Sequence, residues 1–143
     1  FGSTRDLLAR VRQWVTQNPG SLVIHSAAVG DYETEVSEGK LKSGSEELVL
    51  RLRPTPKILD QIIHWDPTCF LVSFKAAAPR TELPDLESIG RRQLLRSKST
   101  IVFGNVIGAL DSEVLLIRDD GADYFPSREE GLMALTRMTR EAL

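Results

Sequence analysis

The 143-residue chain reads as an α/β protein, a sheet covered by helices on both faces. Three observations predict this. Short apolar runs, Leu22-Val-Ile-His25, Phe70-Leu-Val-Ser-Phe74 and Thr100-Ile-Val-Phe103, have the length and continuity of strands buried on both sides. Between them lie segments whose apolar residues recur at helical spacing. Capping and turn residues stand at the junctions, as an alternation of helices and strands requires.

The first helix opens on Ser3-Thr-Arg-Asp6, a capping box with Asp6 in the acidic position. Leu7, Leu8, Val11, Trp14 and Val15 fall on one face, and Asn18-Pro-Gly20 stops the helix. After the first strand, the polar stretch 32–45 reads as a loop. Residues 46–53 alternate, with Leu48, Leu50 and Leu52 on one side and Val49, Arg51 and Arg53 on the other. That pattern fits a half-exposed antiparallel strand. Thr55 is the expected N-cap of the second helix, with Pro56 at its first position; Ile58, Leu59, Ile62 and Ile63 form its buried face, and Asp66-Pro67 closes it. A helix over 85–97 follows the strand that ends at Phe74. Asp119-Asp-Gly121 then turns a hairpin between 113–118 and 122–125. Ser127-Arg-Glu-Glu130 caps the last helix, whose Leu132, Leu135, Met138 and Leu143 are expected to face the core. The sum is a Rossmann-like three-layer α/β/α sheet, largely parallel, in a single domain over 1–143.

Composition narrows the function classes. Eighteen basic residues against twenty acidic give a net charge of −2, without the basic excess of a nucleic-acid binder. The densest basic tract, Gly90-Arg-Arg-Gln-Leu-Leu-Arg-Ser-Lys98, reads as a solvated helix face. A lone cysteine, Cys69, excludes an internal disulfide and a cysteine-rich metal site, and its apolar neighbours mark it as a buried thiol. No apolar run approaches the ~20 residues that span a bilayer, so a cytoplasmic setting is expected.

The chemistry is expected at the strand ends. Ser26-Ala-Ala-Val-Gly-Asp-Tyr32 follows the first strand, Lys75-Ala-Ala the second and Gly104-Asn105 the third; if the strands are parallel, these segments line one crevice. Small side chains at Ala27 and Ala28 let a ligand approach the backbone. Asp31 supplies a hydrogen bond or a metal-associated carboxylate, Lys40 or Lys75 a phosphate partner, and Phe74 a flat face for a base. His25 and His64 lack companions at ligand spacing, and no metal site is expected. No P-loop or Gly-x-Gly-x-x-Gly turn is present, which disfavours a generic dinucleotide-binding domain.

Ala27-Ala-Val-Gly-Asp-Tyr32 with Gly39-Lys-Leu-Lys42 resembles the AAVSDY and GKIKK signature of phosphopantothenoylcysteine synthetases, ligases of coenzyme A biosynthesis. Pro54-Thr-Pro-Lys-Ile-Leu59, Leu71-Val-Ser-Phe-Lys75 and Ile101-Val-Phe-Gly-Asn105 are similar, in order, to further segments of that family. The resemblance implies a ligase that joins 4′-phosphopantothenate to cysteine through an acyl-nucleotidylate, using CTP or ATP with Mg2+. The alternative is a non-catalytic, nucleotide-binding or regulatory relative. It further implies that Ser26, Ala27, Asp31, Lys40, Pro56, Lys57, Ile58, Leu59 and Phe74 contact the nucleotide, with Lys40 the catalytic cation. Ala28 and Asn105 would contact the acyl substrate. Family members pair through an antiparallel extension, so a homodimer is expected through residues 32–54. The family's glycine-rich N-terminal half has no counterpart in 1–143, and another segment or chain is expected to supply it. Upstream sequence carrying that half would separate the ligase from the non-catalytic relative.

Overall fold

The computed structural model describes residues 2–34, 49–108 and 113–142. In chain order the elements are α1 (Thr4–Gln17), β1 (Leu22–His25), β2 (Tyr32–Thr34), β3 (Leu52–Pro54), α2 (Ile58–Trp65) and β4 (Phe70–Ala77). There follow α3 (Leu83–Ser97), β5 (Ile101–Val106), β6 (Val114–Ile117), β7 (Ala122–Phe125) and α4 (Arg128–Glu141). Five strands form one sheet in the order β1-β4-β5-β6-β7. The three apolar runs are its parallel part: Ile24 stands beside Val72, and Phe74 beside Phe103. The hairpin β6–β7 extends the sheet antiparallel from β5.

Side-chain parity explains the layers. On one face Leu71 of β4 meets Val15 of α1 and Ile62 of α2, while Val102 and Ile117 meet Leu86 and Leu94 of α3. On the other face Val72, Phe103, Val114 and Leu116 pack against Ala134 and Leu135 of α4. The fold is thus the expected three-layer α/β/α arrangement, with three helices on one side and α4 on the other. Because α4 lies over the β6–β7 side of the sheet, the same face of β1 is open, and Ile24 is 51% exposed there.

The caps follow the sequence at both ends of the chain. Ser3 Oγ accepts from the Asp6 amide, and Ser127 Oγ from the Glu130 amide. Asp66 ends α2 and ties down the next turn, accepting from the amides of Gly20 and Thr68 and from the Thr68 hydroxyl. Cys69 is buried, and desolvation pushes its thiol up from its ordinary value.

Several expectations are corrected. Thr55 does not cap α2, which begins at Ile58 after Lys57 and has no side-chain cap bond. The buried Thr55 instead donates its amide to the Asp31 carbonyl and its hydroxyl to the Gly30 carbonyl. Because Thr55 itself is buried, its own amide and hydroxyl need partners inside the fold, whereas the helix start at Ile58 is left to other groups. Residues 32–34 are strand β2 rather than loop, paired antiparallel with β3. Of the alternating stretch 46–53, only Leu52 and Arg53 are strand, while 49–51 are irregular and 46–48 lie outside the described residues. Helix α3 starts at Leu83, with a proline in its first turn, two residues earlier than expected. The basic tract is not all solvated, since Gly90, Gln93, Leu94 and Ser97 are buried. Trp14 and Leu132, expected in the core, are substantially exposed, and Leu143 lies outside the described residues.

Candidate functional site

Since β1, β4 and β5 are parallel and adjacent, their carboxyl ends fall on one edge of the sheet, where open α/β folds bind ligands. Two joined crevices open there. The first, about 360 Å³, lies between the 27–31 loop, the start of α2 and the face of α3; His25, Thr55, Lys57, Asp60 and Arg96 line it. The second, about 650 Å³, runs past Ser26, Ala28, Asn105, Gly108 and Arg128. Ala27, Val29, Asp31, Phe74, Lys75 and Gln93 line both, and so form the wall they share.

Each part of this wall has a local cause. The two Thr55 bonds tie the loop after β1 to the segment that leads into α2. Phe74 is fixed by stacking on Phe103, with ring centroids 4.9 Å apart and planes inclined by 26°. The Arg128 guanidinium lies over the Phe103 ring, 5.4 Å from its centroid. Gln93, 8% exposed, donates through Nε2 to Ser73 Oγ at 3.0 Å and to the Phe74 carbonyl at 3.2 Å. The Ser73 and Ser99 hydroxyl oxygens lie 2.9 Å apart and those of Ser99 and Ser97 2.7 Å apart, and the Ser97 hydroxyl donates to the Gln93 carbonyl. This closed polar ring fixes the orientation of the Gln93 amide, because only its nitrogen can donate to the Phe74 carbonyl.

The electrostatics are mostly paired. Asp31 receives the ammonium of Lys57, which holds its carboxyl below the ordinary carboxylate range, aided by the more distant charges of Lys75 and Arg96. Arg96 meets Asp60 at 3.1 Å. His25 stands in the first crevice with Nε2 buried and, among the described residues, without a hydrogen-bond partner, and burial lowers its pKa from the usual value. Among the described residues no three His, Cys, Asp or Glu side chains gather as a metal cluster. Two carboxylates of the first crevice, Asp31 and Asp60, are ion-paired with Lys57 and Arg96.

The structure brings together Ser26, Ala27, Ala28, Asp31, Pro56, Lys57, Ile58, Leu59, Phe74 and Asn105 around the two crevices. Lys40 and Lys42 lie outside the described residues. Sequence reasoning did not find Thr55, Arg96 or Arg128 as wall residues, and Gln93 appeared only inside the basic tract 90–98. One signal pointed to Gln93: with Ser97 at i+4, it places polar atoms on the buried face that carries Leu86 and Leu94.

Comparison with known proteins agrees with the fold and the motifs. Residues 2–136 match the family model described as the DNA/pantothenate metabolism flavoprotein C-terminal domain. The coenzyme A biosynthesis bifunctional protein CoaBC of Thermococcus kodakarensis is 34% identical over 128 residues, covering 87% of this chain. The chain spans 31% of the length of that relative. Among solved structures, the DNA/pantothenate metabolism flavoprotein from Streptococcus pneumoniae superposes with a TM-score of 0.86 at 22% identity; the match covers 100% of this chain and 72% of that one. A histidine-to-alanine mutant of Cab2 in complex with phosphopantothenate-cysteine gives 0.75 at 22% identity, covering 91% of this chain and 46% of that one. Among the described residues no helix is long and apolar enough to cross a membrane. The chain belongs to the family of the DNA/pantothenate metabolism flavoprotein C-terminal domain, the phosphopantothenoylcysteine synthetase family that its Ala27-to-Tyr32 motif resembles.

Proposed function

We propose that the chain contributes the nucleotide and acyl-intermediate site of a ligase that joins 4′-phosphopantothenate to cysteine, with CTP or ATP as cosubstrate. One observation carries the reading: two crevices share a wall at the carboxyl ends of three parallel strands. A mixed anhydride of an acid and a nucleotide has two such halves. The first crevice takes the nucleotide, between the backbone of Ser26 and Ala27, Asp31, the 56–59 segment and the Phe74 ring. The second takes the acyl chain, along Ala28 and Asn105. Lys40 neutralises charge on the departing pyrophosphate. Mg2+ enters with the nucleotide phosphates and not in a protein cage.

In the first step a carboxylate oxygen of 4′-phosphopantothenate attacks the α-phosphorus, and pyrophosphate leaves. In the second, the cysteine amine attacks the acyl carbon, and nucleoside monophosphate leaves with the loss of one proton from the amine. The domain acts as a homodimer paired through its β2–β3 ribbon and the residues leading into it, where Leu52 of β3 and Val49 before it are 58% and 80% exposed. The test is nucleotide-dependent joining of cysteine to 4′-phosphopantothenate, CTP against ATP. It is run with the chain alone and with any segment or chain that supplies the family's N-terminal half. Product formation that falls with Lys40→Ala supports the reading. Absence of product in both settings, with no nucleotide binding by the chain, would overturn it.

A further inference from the structure

The charged groups of the two crevices are not equivalent. In the first, Lys57 is held by Asp31 and Arg96 by Asp60. In the second, Arg128 lies over Phe103. Of the six residues in the shared wall, Asp31 and Lys75 are the charged ones, and Asp31 is already paired. Lys75 is half-buried on β4 beside Gly104 of β5, a neighbour with no side chain to cover it. Among the described residues it has neither a hydrogen-bond nor an ion-pair partner, although its charge is felt at Asp31. An ammonium with no partner among the described residues, half removed from water, on the wall common to two crevices, is a group waiting for an anion.

We infer that Lys75 is a catalytic residue that binds the α-phosphoryl group where the nucleotide and acyl halves of the intermediate meet. The inference rests on the ligase reading above and adds to it a residue and an atom. In the first step the carboxylate oxygen bonds to the α-phosphorus while the bond to the pyrophosphate oxygen breaks. Negative charge passes through the non-bridging α-phosphoryl oxygens, which face the Lys75 Nζ. In the second step the amine nitrogen bonds to the acyl carbon, and the carbon–oxygen bond to the nucleotide breaks. The nucleoside monophosphate then gains a charge on the same phosphoryl group. One fixed cation thus serves both transition states, whereas Lys57 and Arg96, confined to the first crevice, act on the nucleotide alone. Phe74, the next residue on β4, is locked by its stack on Phe103, and Gln93 holds its carbonyl, so the backbone that carries Lys75 is rigid.

The experiment compares Lys75→Gln and Lys75→Arg with the unaltered sequence, in the protein as the cell makes it. Three quantities are read: exchange of labelled pyrophosphate into the nucleotide with 4′-phosphopantothenate and no cysteine, overall amide formation, and the nucleotide Kd. Lys75→Gln should slow exchange and amide formation by about 10²- to 10³-fold, the effect of deleting one transition-state charge partner. The nucleotide Kd should stay within tenfold and the melting temperature should be unchanged, while Lys75→Arg recovers part of the rate. Exchange in Lys75→Gln within threefold of the unaltered protein overturns the inference and leaves the ligase reading standing. Loss of nucleotide binding equal to the loss of rate also overturns it, making Lys75 a ground-state contact. Absence of exchange in the unaltered protein refutes the ligase reading, and the inference falls with it.

Discussion

Replacing Gln93 by glutamate should destabilise the domain far more than replacing it by leucine, although glutamate is the closer match in shape. The amide sits 8% exposed at the floor of both crevices and gives two hydrogen bonds through Nε2. Gln93→Leu deletes both. Neutral bonds of this kind are worth about 0.5–1.5 kcal/mol each, so the loss is about 1–3 kcal/mol before any gain from the buried leucine. Glutamate cannot donate when ionised, and its second oxygen would face the Phe74 carbonyl, oxygen against oxygen. A buried charge without a partner costs about 3–5 kcal/mol, on the scale measured for broken buried ion pairs. The carboxyl answers by keeping its proton in the folded state, so its folded pKa lies above its unfolded value. The unfolded state then loses the proton first as pH rises, and the deficit grows from acid toward neutral pH. Urea unfolding of the three proteins at pH 7 and near pH 5, with midpoints and slopes both recorded, checks this. Gln93→Glu as stable as Gln93→Leu at pH 7, or equally unstable at both pH values, would show that the amide is not held between Ser73 and Phe74.

Other consequences follow from the same geometry. Gly131→Ala should destabilise by about 1–2 kcal/mol in chemical denaturation, although alanine in an exposed helix gains about 1 kcal/mol over glycine. The added Cβ would stand 2.3 Å from Val114 Cγ2 and 3.3 Å from Phe103 Cε2, and an unchanged or higher unfolding midpoint would contradict that packing. Thr55→Val should cost about 0.5–1.5 kcal/mol by removing the hydroxyl bond to the Gly30 carbonyl, and should speed amide hydrogen exchange at Thr55. Unaltered exchange there would mean that the loop is held by something else. Burial of His25 lowers its pKa from the ordinary 6.5. Its contribution is therefore complete above that value and is lost as pH falls toward the folded pKa, because the unfolded chain takes the proton first. The unfolding free energy of His25→Gln should vary less with pH over that window, and parallel profiles for the two proteins would remove burial of His25 as the cause.

The parallel part of the sheet was legible because β1, β4 and β5 are apolar on both sides, a pattern that survives without knowledge of neighbours. What tertiary contacts decide was not legible. Thr55 was read as a cap because a local rule sees the free amides of a helix start, whereas its acceptor at Gly30 is 25 residues away. Strand β2, Tyr32-Glu-Thr34, is too short for an alternation to register, and pairing with Leu52–Pro54 is what makes it a strand. The alanines after Lys75 read as loop since alanine is a poor strand former, yet Ala76 and Ala77 pair with Asn105 and Val106 and carry β4 onward. The loop after β1 and the ends of β4 and β5 announced the crevices by composition. The wall given by α3 did not, because Arg96 and Gln93 are ordinary helix residues until Ser73, Phe74 and Asp60 are placed against them.

The division of labour between strand directions explains why the polar groups collect where they do. The antiparallel hairpin β6–β7 returns the chain by a tight turn, in which the Arg118 amide donates to the Gly121 carbonyl, and Arg118 is consumed by Asp120 and Asp123. Nothing there is left unpaired among these charges. The parallel strands instead need crossovers, and each crossover leaves a loop at the carboxyl end and a helix lying back over the sheet. Two such units, β1 to β4 through α2 and β4 to β5 through α3, place a flexible cation on each side of β4, and β4 brings a third itself. Exposed ion pairs contribute little to stability, so Asp31 and Asp60 hold Lys57 and Arg96 against the walls without binding them hard. A polyanion entering the first crevice competes with weak partners, and on the wall shared with the second it meets Lys75, which has none among the described residues. The gradient from weakly held to free positive charge runs from the nucleotide crevice toward the point where the two crevices join.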